Sequence, residues 1–311
     1  MRCVSCGTWR LDPAPPADEL ASLYPLNYEA HTREIKPAEP VIPGRTHALR
    51  RRYWEWVKAN RPSIWGMPPR DAWRAAAAAL FSMTRFGSYN PLAFGGEGKR
   101  LLDIGCATGG LMDDFLRMGW SVTGIDASEH AVRSARARGA KAVQGRFPED
   151  KSVVKDAGPF SAVTMANVLE HLDDPLAALR AARELLEPGG TLLIWTPVCD
   201  GPLQRHLTPY WYNLDIPRHL HLFTKRGLAY LVRQAGFDPR VLRPATSARA
   251  VGRTLAAALD DAGWTAWAAA VQSRVFVRIA PNPAAAVLDV LGGGDVAVLM
   301  AVRVDDDRER R

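Results

Sequence analysis

The chain is short of cysteine, of long apolar runs and of paired metal-binding motifs, and each shortage excludes something. Only four cysteines, Cys3, Cys6, Cys106 and Cys199, stand among 311 residues, too few for a disulfide-built scaffold and suited to a reducing compartment. No apolar run approaches the roughly 18 residues a membrane helix needs; the alanine stretch Ala75–Ala79 is far too short. The opening MRCVSCGTWR lacks an apolar signal core, so the expectation is a cytoplasmic chain without a membrane partner. A net charge of +7 comes mainly from scattered arginines, with one cluster at Arg50, Arg51 and Arg52. No run interleaves basic and aromatic residues, so this reads as a solvated basic surface and nucleic acid is not the expected partner. Cys3 and Cys6 form one C-x-x-C, but a tetrahedral zinc site needs four ligands and no second such pair follows.

What is present is a core-forming composition, 47% hydrophobic, and one stretch that organises the rest, Lys99 to Ser128. It reads as a buried strand (Leu101 to Ile104), a turn with Gly105, Gly109 and Gly110, and a helix with Leu111, Met112, Phe115 and Leu116 on one face. That helix stops at Gly119, and a second strand ends at Asp126. Asp126 lies about twenty residues beyond the glycines, where a βαβ nucleotide site needs a carboxylate for ribose hydroxyls. A dinucleotide fingerprint wants G-x-G-x-x-G; here its middle glycine is Ala107 and the pattern is D-x-G-x-x-x-G-G from Asp103. The phosphate reading, and with it a nicotinamide-dependent oxidoreductase, is weakened.

This stretch resembles the first motif of the class I S-adenosylmethionine-dependent methyltransferases, with Ala107 where many relatives have glycine. The resemblance implies S-adenosyl-L-methionine as cofactor. It assigns Asp103, Gly105, Cys106, Ala107 and Gly109 to the loop under its methionine part, and Asp126 with Ala127 to its ribose. It also places Arg146 and Phe147 at the adenine, Arg146 standing where relatives often carry an acid, and Ala166 and Asn167 near the methionine moiety. The opening CVSCGTWRLDPAPP resembles the second half of the zinc ribbon that begins some methyltransferases; without the first half, a truncated or decayed ribbon is expected.

The fold expected is α/β: a doubly wound, seven-stranded, mostly parallel sheet of Rossmann-like methyltransferase type. Residues 1–94 form a proline-rich arm, with one short helix from Ala17 to Leu23, and a helical lid; 95–304 form the cofactor-binding domain, and 305–311 a tail. Ser128 caps a helix that runs to Arg138 and stops at Gly139, and Ala140 to Gln144 is the next strand. Phe160 to Met165 follows, then a helix entered through Asp174 and Pro175 and ended by Glu187 to Gly190, then a strand from Thr191 to Thr196. Thr224 caps a helix to Ala235, Phe237 to Leu242 is a strand, 247–292 is a helical insertion, and Asp295 to Val304 closes the sheet antiparallel.

For chemistry the candidates are His171, His219 and His221, since imidazole titrates near working pH and can take a proton from a hydroxyl acceptor. His219 and His221 alternate, so an extended segment puts them on one face. Glu170 and His171 serve equally well to brace their loop. Some relatives hold a divalent ion on E-x-x-E-H; here Asn167 replaces the first acid, and no metal site is expected. The long connection 197–223, with Tyr210, Trp211 and Tyr212, and the insertion, with Trp264 and Trp267, are expected to border the acceptor. The expected function is methyl transfer to a small-molecule hydroxyl, of a sugar or secondary metabolite. The alternatives are an RNA 2′-O- or base methyltransferase and a non-catalytic protein that keeps the fold.

Overall fold

In the computed structural model the described residues are 1–24, 99–117, 119–246, 248–272, 289 and 292–304. The lid helices expected between 45 and 94 and the tail 305–311 lie outside them. The strands are β1 (Trp9–Arg10), β2 (Arg100–Ile104), β3 (Ser121–Asp126), β4 (Lys141–Gln144), β5 (Phe160–Ala166), β6 (Leu186–Pro197), β7 (His221–Leu222), β8 (Phe237–Ala245) and β9 (Val296–Arg303). Seven of them make one sheet in the order β4-β3-β2-β5-β6-β9-β8, and β1 pairs with β7 apart from it. The strands from β4 to β6 in that order are parallel, and β9 runs antiparallel to both β6 and β8. This is the doubly wound, mostly parallel sheet that the alternation of apolar strands and capped helices implies.

The central strands are apolar at almost every position because helices cover both faces. Leu101, Leu102, Ile104, Ala162, Val163 and Met165 are all buried to within 1%, each of the larger ones contributing about 1.5–3 kcal/mol. Helix Gly110–Arg117 turns Met112 and Phe115 into the core, and Gly119 ends it at φ +75°. The Ser128 hydroxyl accepts from Ala131 N at 3.3 Å, the Asp174 carboxylate from Ala177 N at 2.9 Å, and the Thr224 hydroxyl from Gly227 N at 2.9 Å. Each caps the helix that follows it, Glu129–Arg136, Pro175–Leu185 and Lys225–Gln234 respectively.

Some boundaries differ from expectation. Helix Pro175–Leu185 passes straight into β6, so Glu187 to Gly190 belong to the strand, whose pairing with β5 shifts between Phe160 and Ala162. β8 continues through Pro239 and Pro244 to Ala245. It is the edge of the sheet, where a missing N–H leaves no ladder bond unmade. Within 247–292 the insertion shows helices Ala248–Asp261 and Thr265–Gln272. The two-residue β1 was not expected; it is too short to leave a periodic signal.

From β2 the chain builds outward to β3 and β4, then crosses back to β5 on the other side of β2. The crevice at such a switch point opens at the carboxyl ends of β2 and β5. There the two loops touch: a Cβ on Gly105, which sits at φ +69°, would lie 2.4 Å from Val168 Cγ2. Two residues on, Ala107 holds φ +46°, a left-handed conformation that costs a residue with a Cβ about 1 kcal/mol or more. Ala107→Gly is therefore expected to stabilise the fold by about 1 kcal/mol, read as a higher urea midpoint; an unchanged or lower midpoint would show that the turn carries no such strain.

Candidate functional site

The crevice is a cleft of about 560 Å³. Gly105, Asp126, Ala127, Arg146 and Phe147 line it from the loops that follow β2, β3 and β4, and His171 from the loop after β5. Of the residues assigned to the cofactor, these first five are brought together. Asp126 ends β3 and is 8% exposed. Its Oδ2 accepts from Ala107 N at 2.9 Å and its Oδ1 from Ser128 N at 2.8 Å. Each oxygen keeps a second lone pair for a ligand hydroxyl.

The other assigned residues take different places. Asp103 is buried within β2, its Oδ1 accepting from Thr164 Oγ1 at 2.6 Å; burial, together with the Asp126 charge, raises its carboxyl to about 7. Cys106 points its thiol into the core over Gly124, where a Cβ would lie 2.7 Å from the sulfur; burial pushes that thiol well above its ordinary range. Ala107 reaches the site through its N–H, held by Asp126, and Gly109 packs at φ +82° against Ala135. Asn167, at φ +53°, donates its backbone N–H to Trp195 O at 2.7 Å. None of these, nor Ala166, lines the cleft.

Reasoning from the sequence missed Tyr24 and Leu20, which close the cleft from the N-terminal arm, and also Glu149 and Val168. Val168 adjoins the N-V-L-E-H stretch, and Glu149 lies two residues past Phe147. Tyr24 left no local signal, because its contacts reach across nearly 150 residues.

The histidines separate into two roles. His171 lines the cleft, and its Nδ1 lies 2.9 Å from the Tyr24 hydroxyl and 3.0 Å from Arg218 O. His219 stands behind it, ring centroids 4.8 Å apart, with its own Nδ1 2.8 Å from Asn213 O. A carbonyl only accepts, so Nδ1 of His219 donates to it. His221 does not share this arrangement: it stacks on Phe223 at 5.8 Å within β7 and does not line the cleft. The shared face expected for His219 and His221 fails because the strand begins only at His221, after a turn closed by Asp215 and Arg218. Burial lowers the pKa of all three rings, His171 included despite the raising influence of Glu170.

Glu170 is fully buried beside them. Its Oε2 accepts from Thr196 Oγ1 at 2.9 Å, while Oε1 has no hydrogen-bond partner and lies 4.0 Å from His219 Nε2; burial raises its pKa. One ligating atom each from Glu170, His171 and His219 falls within 4.8 Å of the others. Two imidazoles and a carboxylate suit a transition-metal cation better than magnesium, and the orphaned buried oxygen fits such an occupant.

Comparison with known proteins shows the family. The family described as "Methyltransferase domain" matches residues 78–241, just over half of the chain. The "Ubiquinone biosynthesis O-methyltransferase" of Bordetella avium is 30% identical over 163 residues, 47% of this chain and 65% of that protein. Its counterparts in a Caulobacter and in Cereibacter sphaeroides are 39% and 35% identical, covering 32% and 48% of this chain and 41% and 63% of theirs. The chain thus spans less than two-thirds of the length of each of these relatives. A solved S-adenosylmethionine-dependent methyltransferase structure from Methanosarcina mazei shows 17% identity and a TM-score of 0.47, over 70% of this chain and 99% of that one, too distant for any residue to be carried across.

The buried Asp103 is testable without a ligand. A carboxyl raised by folding from 3.8 to about 7 adds stability only while protonated, so its contribution is whole below about pH 4 and lost as pH climbs through 7. Asp103→Asn keeps an acceptor for Thr164 and cannot ionise. In denaturant unfolding, the variant is expected to gain on the parent by a few kcal/mol, as an order of magnitude, between pH 5 and pH 8; a difference independent of pH would overturn the assignment.

Proposed function

The chain belongs to the class I S-adenosylmethionine-dependent methyltransferases, and from that premise we propose that it methylates a hydroxyl of a small molecule, a sugar or secondary metabolite, with His171 as general base. S-adenosylmethionine, when bound, supplies a methyl group on a sulfonium that leaves as a neutral thioether. The cradle fits it: Gly105, whose missing Cβ lets Val168 close against the turn, lines the cleft together with Asp126, which keeps a lone pair on each carboxylate oxygen. Two hydrogen bonds from ribose hydroxyls to a carboxylate are worth about 1.5–3 kcal/mol each. Phe147 and Arg146 border the neighbouring end, where a base can stack.

The observation that carries the base assignment is the engagement of His171 Nδ1 by Arg218 O and the Tyr24 hydroxyl, in a ring that lines the same cleft as Asp126. With Nδ1 occupied, the ring keeps Nε2 for a substrate proton. Burial holds the ring in the neutral form that a base requires. Attack by the acceptor oxygen on the methyl carbon then needs positioning more than further catalysis. The relatives are named as O-methyltransferases, which supports oxygen as the acceptor atom.

A second reading is favoured by the partnerless Oε1 of Glu170. Glu170, His171 and His219 would hold a divalent cation, which would lower the pKa of a bound hydroxyl. Chelation separates the two. Unchanged turnover after dialysis against a chelator supports the base, whereas a loss that Mn²⁺ or Zn²⁺ restores supports the cation.

The roles are read by calorimetric titration with S-adenosylhomocysteine. Micromolar affinity is expected, on the order of −8 kcal/mol. Asp126→Ala is expected to weaken it at least about tenfold, whereas His171→Ala leaves it within about twofold and slows turnover. Equal losses of affinity would overturn the division of roles.

A further inference from the structure

The long connection between β6 and β7 carries His219 to its place behind the cleft, and a buried acid outside the cleft holds that connection. Asp295 precedes β9 at the end of the sheet where β6 stops, its carbonyl accepting from Val198 N at 2.9 Å. It is 1% exposed. Burial, with the Asp289 charge beside it, raises its carboxyl to about 6. Oδ2 accepts from Asn213 Nδ2 at 2.9 Å and from Trp211 Nε1 at 3.3 Å, while Oδ1 has no hydrogen-bond partner among the described residues. Two donors from one turn thus meet on one carboxylate oxygen. Withdrawing that oxygen leaves the buried Trp211 indole N–H without its acceptor, a costly loss away from water.

The anchored turn runs from Trp211 to Leu214, whose N donates to Trp211 O at 2.9 Å. Trp211 packs with Cys199 and Leu222, and Tyr212 N donates to Thr254 Oγ1 at 3.1 Å, so helix Ala248–Asp261 holds the turn from the other side. Asn213 O is then directed at His219, accepting from its Nδ1 at 2.8 Å. In a neutral imidazole one nitrogen carries the proton, and the hydrogen bond made by one ring nitrogen decides which. Burial lowers the His219 pKa, which keeps the ring neutral. With the proton on Nδ1, Nε2 is the nitrogen turned towards Glu170 Oε1 at 4.0 Å and Asp215 Oδ2 at 3.9 Å. The same tether fixes the ring that stands at 61° against His171.

We propose that Asp295 is a positioning residue of the site: by pinning Asn213 it sets which nitrogen His219 presents behind His171, and so holds the His171 ring. Neither Asp295 nor Asn213 lines the cleft. The consequence for methyl transfer rests on His171 being the base; the position of the His219 proton does not. Asparagine at 295 keeps an oxygen for both donors, whereas leucine keeps the volume and removes it.

The test reads the ring nitrogens directly. In the full chain labelled with ¹⁵N-histidine, at about pH 8 and with a chelator present so that no cation selects a nitrogen, two-bond ¹H–¹⁵N correlations separate protonated from unprotonated nitrogens. His219→Gln identifies the His219 signals among the seven histidines. The parent is expected to carry the His219 proton on Nδ1. Asn213→Ala and Asp295→Leu are each expected to replace that pattern with a mixture of tautomers and to shift the His171 signals. The double variant is expected to go no further than either alone, as for two residues acting through one contact. Asp295→Asn is expected to retain the parent pattern. Affinity for S-adenosylhomocysteine is expected to stay within about twofold throughout, because the tether lies away from Asp126. A His219 proton on Nε2 in the parent, an unchanged spectrum in Asn213→Ala, stationary His171 signals in both single variants, or an Asp295→Asn spectrum like that of Asp295→Leu would each overturn the proposal. If Asp295→Leu does not fold, Asn213→Ala decides alone. Turnover is read separately: a His171→Ala variant that keeps full turnover removes the base assignment and leaves the His219 result standing.

Discussion

The site depends on the side chain of Asp126. One carboxylate at the end of β3 accepts from Ala107 N in the loop after β2 and from Ser128 N at the start of the next helix. The Asp126 carbonyl accepts from Gly145 N at 3.0 Å in the loop after β4. Three loops that would otherwise move separately are thereby fixed to one residue. Ser128, so placed, caps its helix through its own hydroxyl. A carboxylate held by backbone donors keeps its orientation with no side-chain partner, which leaves it ready for a ligand. Ala107 pays for this with its left-handed backbone, because its N–H must face Asp126.

The two acids of this region owe their difference to their surroundings. Asp126 stands at a strand end with two backbone donors, whereas Asp103 lies inside β2 with one hydroxyl donor. Desolvation therefore governs Asp103. The same principle divides the thiols. Cys106 and Cys199 are buried and inert, the latter pushed up to about 11 with its sulfur 3.3 Å from Leu222 O, whereas Cys3 is exposed among backbone donors.

The sheet was legible in the sequence because its signals are local. Apolar runs mark buried strands, Ser128, Asp174 and Thr224 mark helix starts, and Gly119, Gly139 and Gly236 mark stops, each observed at positive φ. The glycine loop and Asp126 were legible for the same reason, since a βαβ unit fixes their separation. Side-chain directions were not. Nothing local told that Cys106 turns inward over Gly124, that Asn167 uses its backbone, or that His219 joins His171 while His221 stacks on Phe223. These follow from crossings between distant segments, and alternation along 219–221 misled because the strand starts inside it. Tyr24 is the extreme case, an arm residue whose role exists only once β5 and the long connection are in place.

The arm is thereby part of the site and not an appendage. Leu11 N donates to Leu220 O at 2.9 Å, and Leu220 N donates to Glu170 O at 2.9 Å. β1 pairs with β7 immediately beyond, and Tyr24 reaches His171 from the same arm. The segment 218–222 is therefore hydrogen-bonded to the arm on one side and to the Glu170–His171 loop on the other. Arg218 O, which orients His171, lies within it. A displacement of the arm must move that carbonyl or break the ladder, and in either case the orientation of His171 goes with it. Anchoring the arm at its start, through Thr224 at the head of the helix that begins with Lys225, therefore restrains a side chain in the cleft through a continuous run of hydrogen bonds.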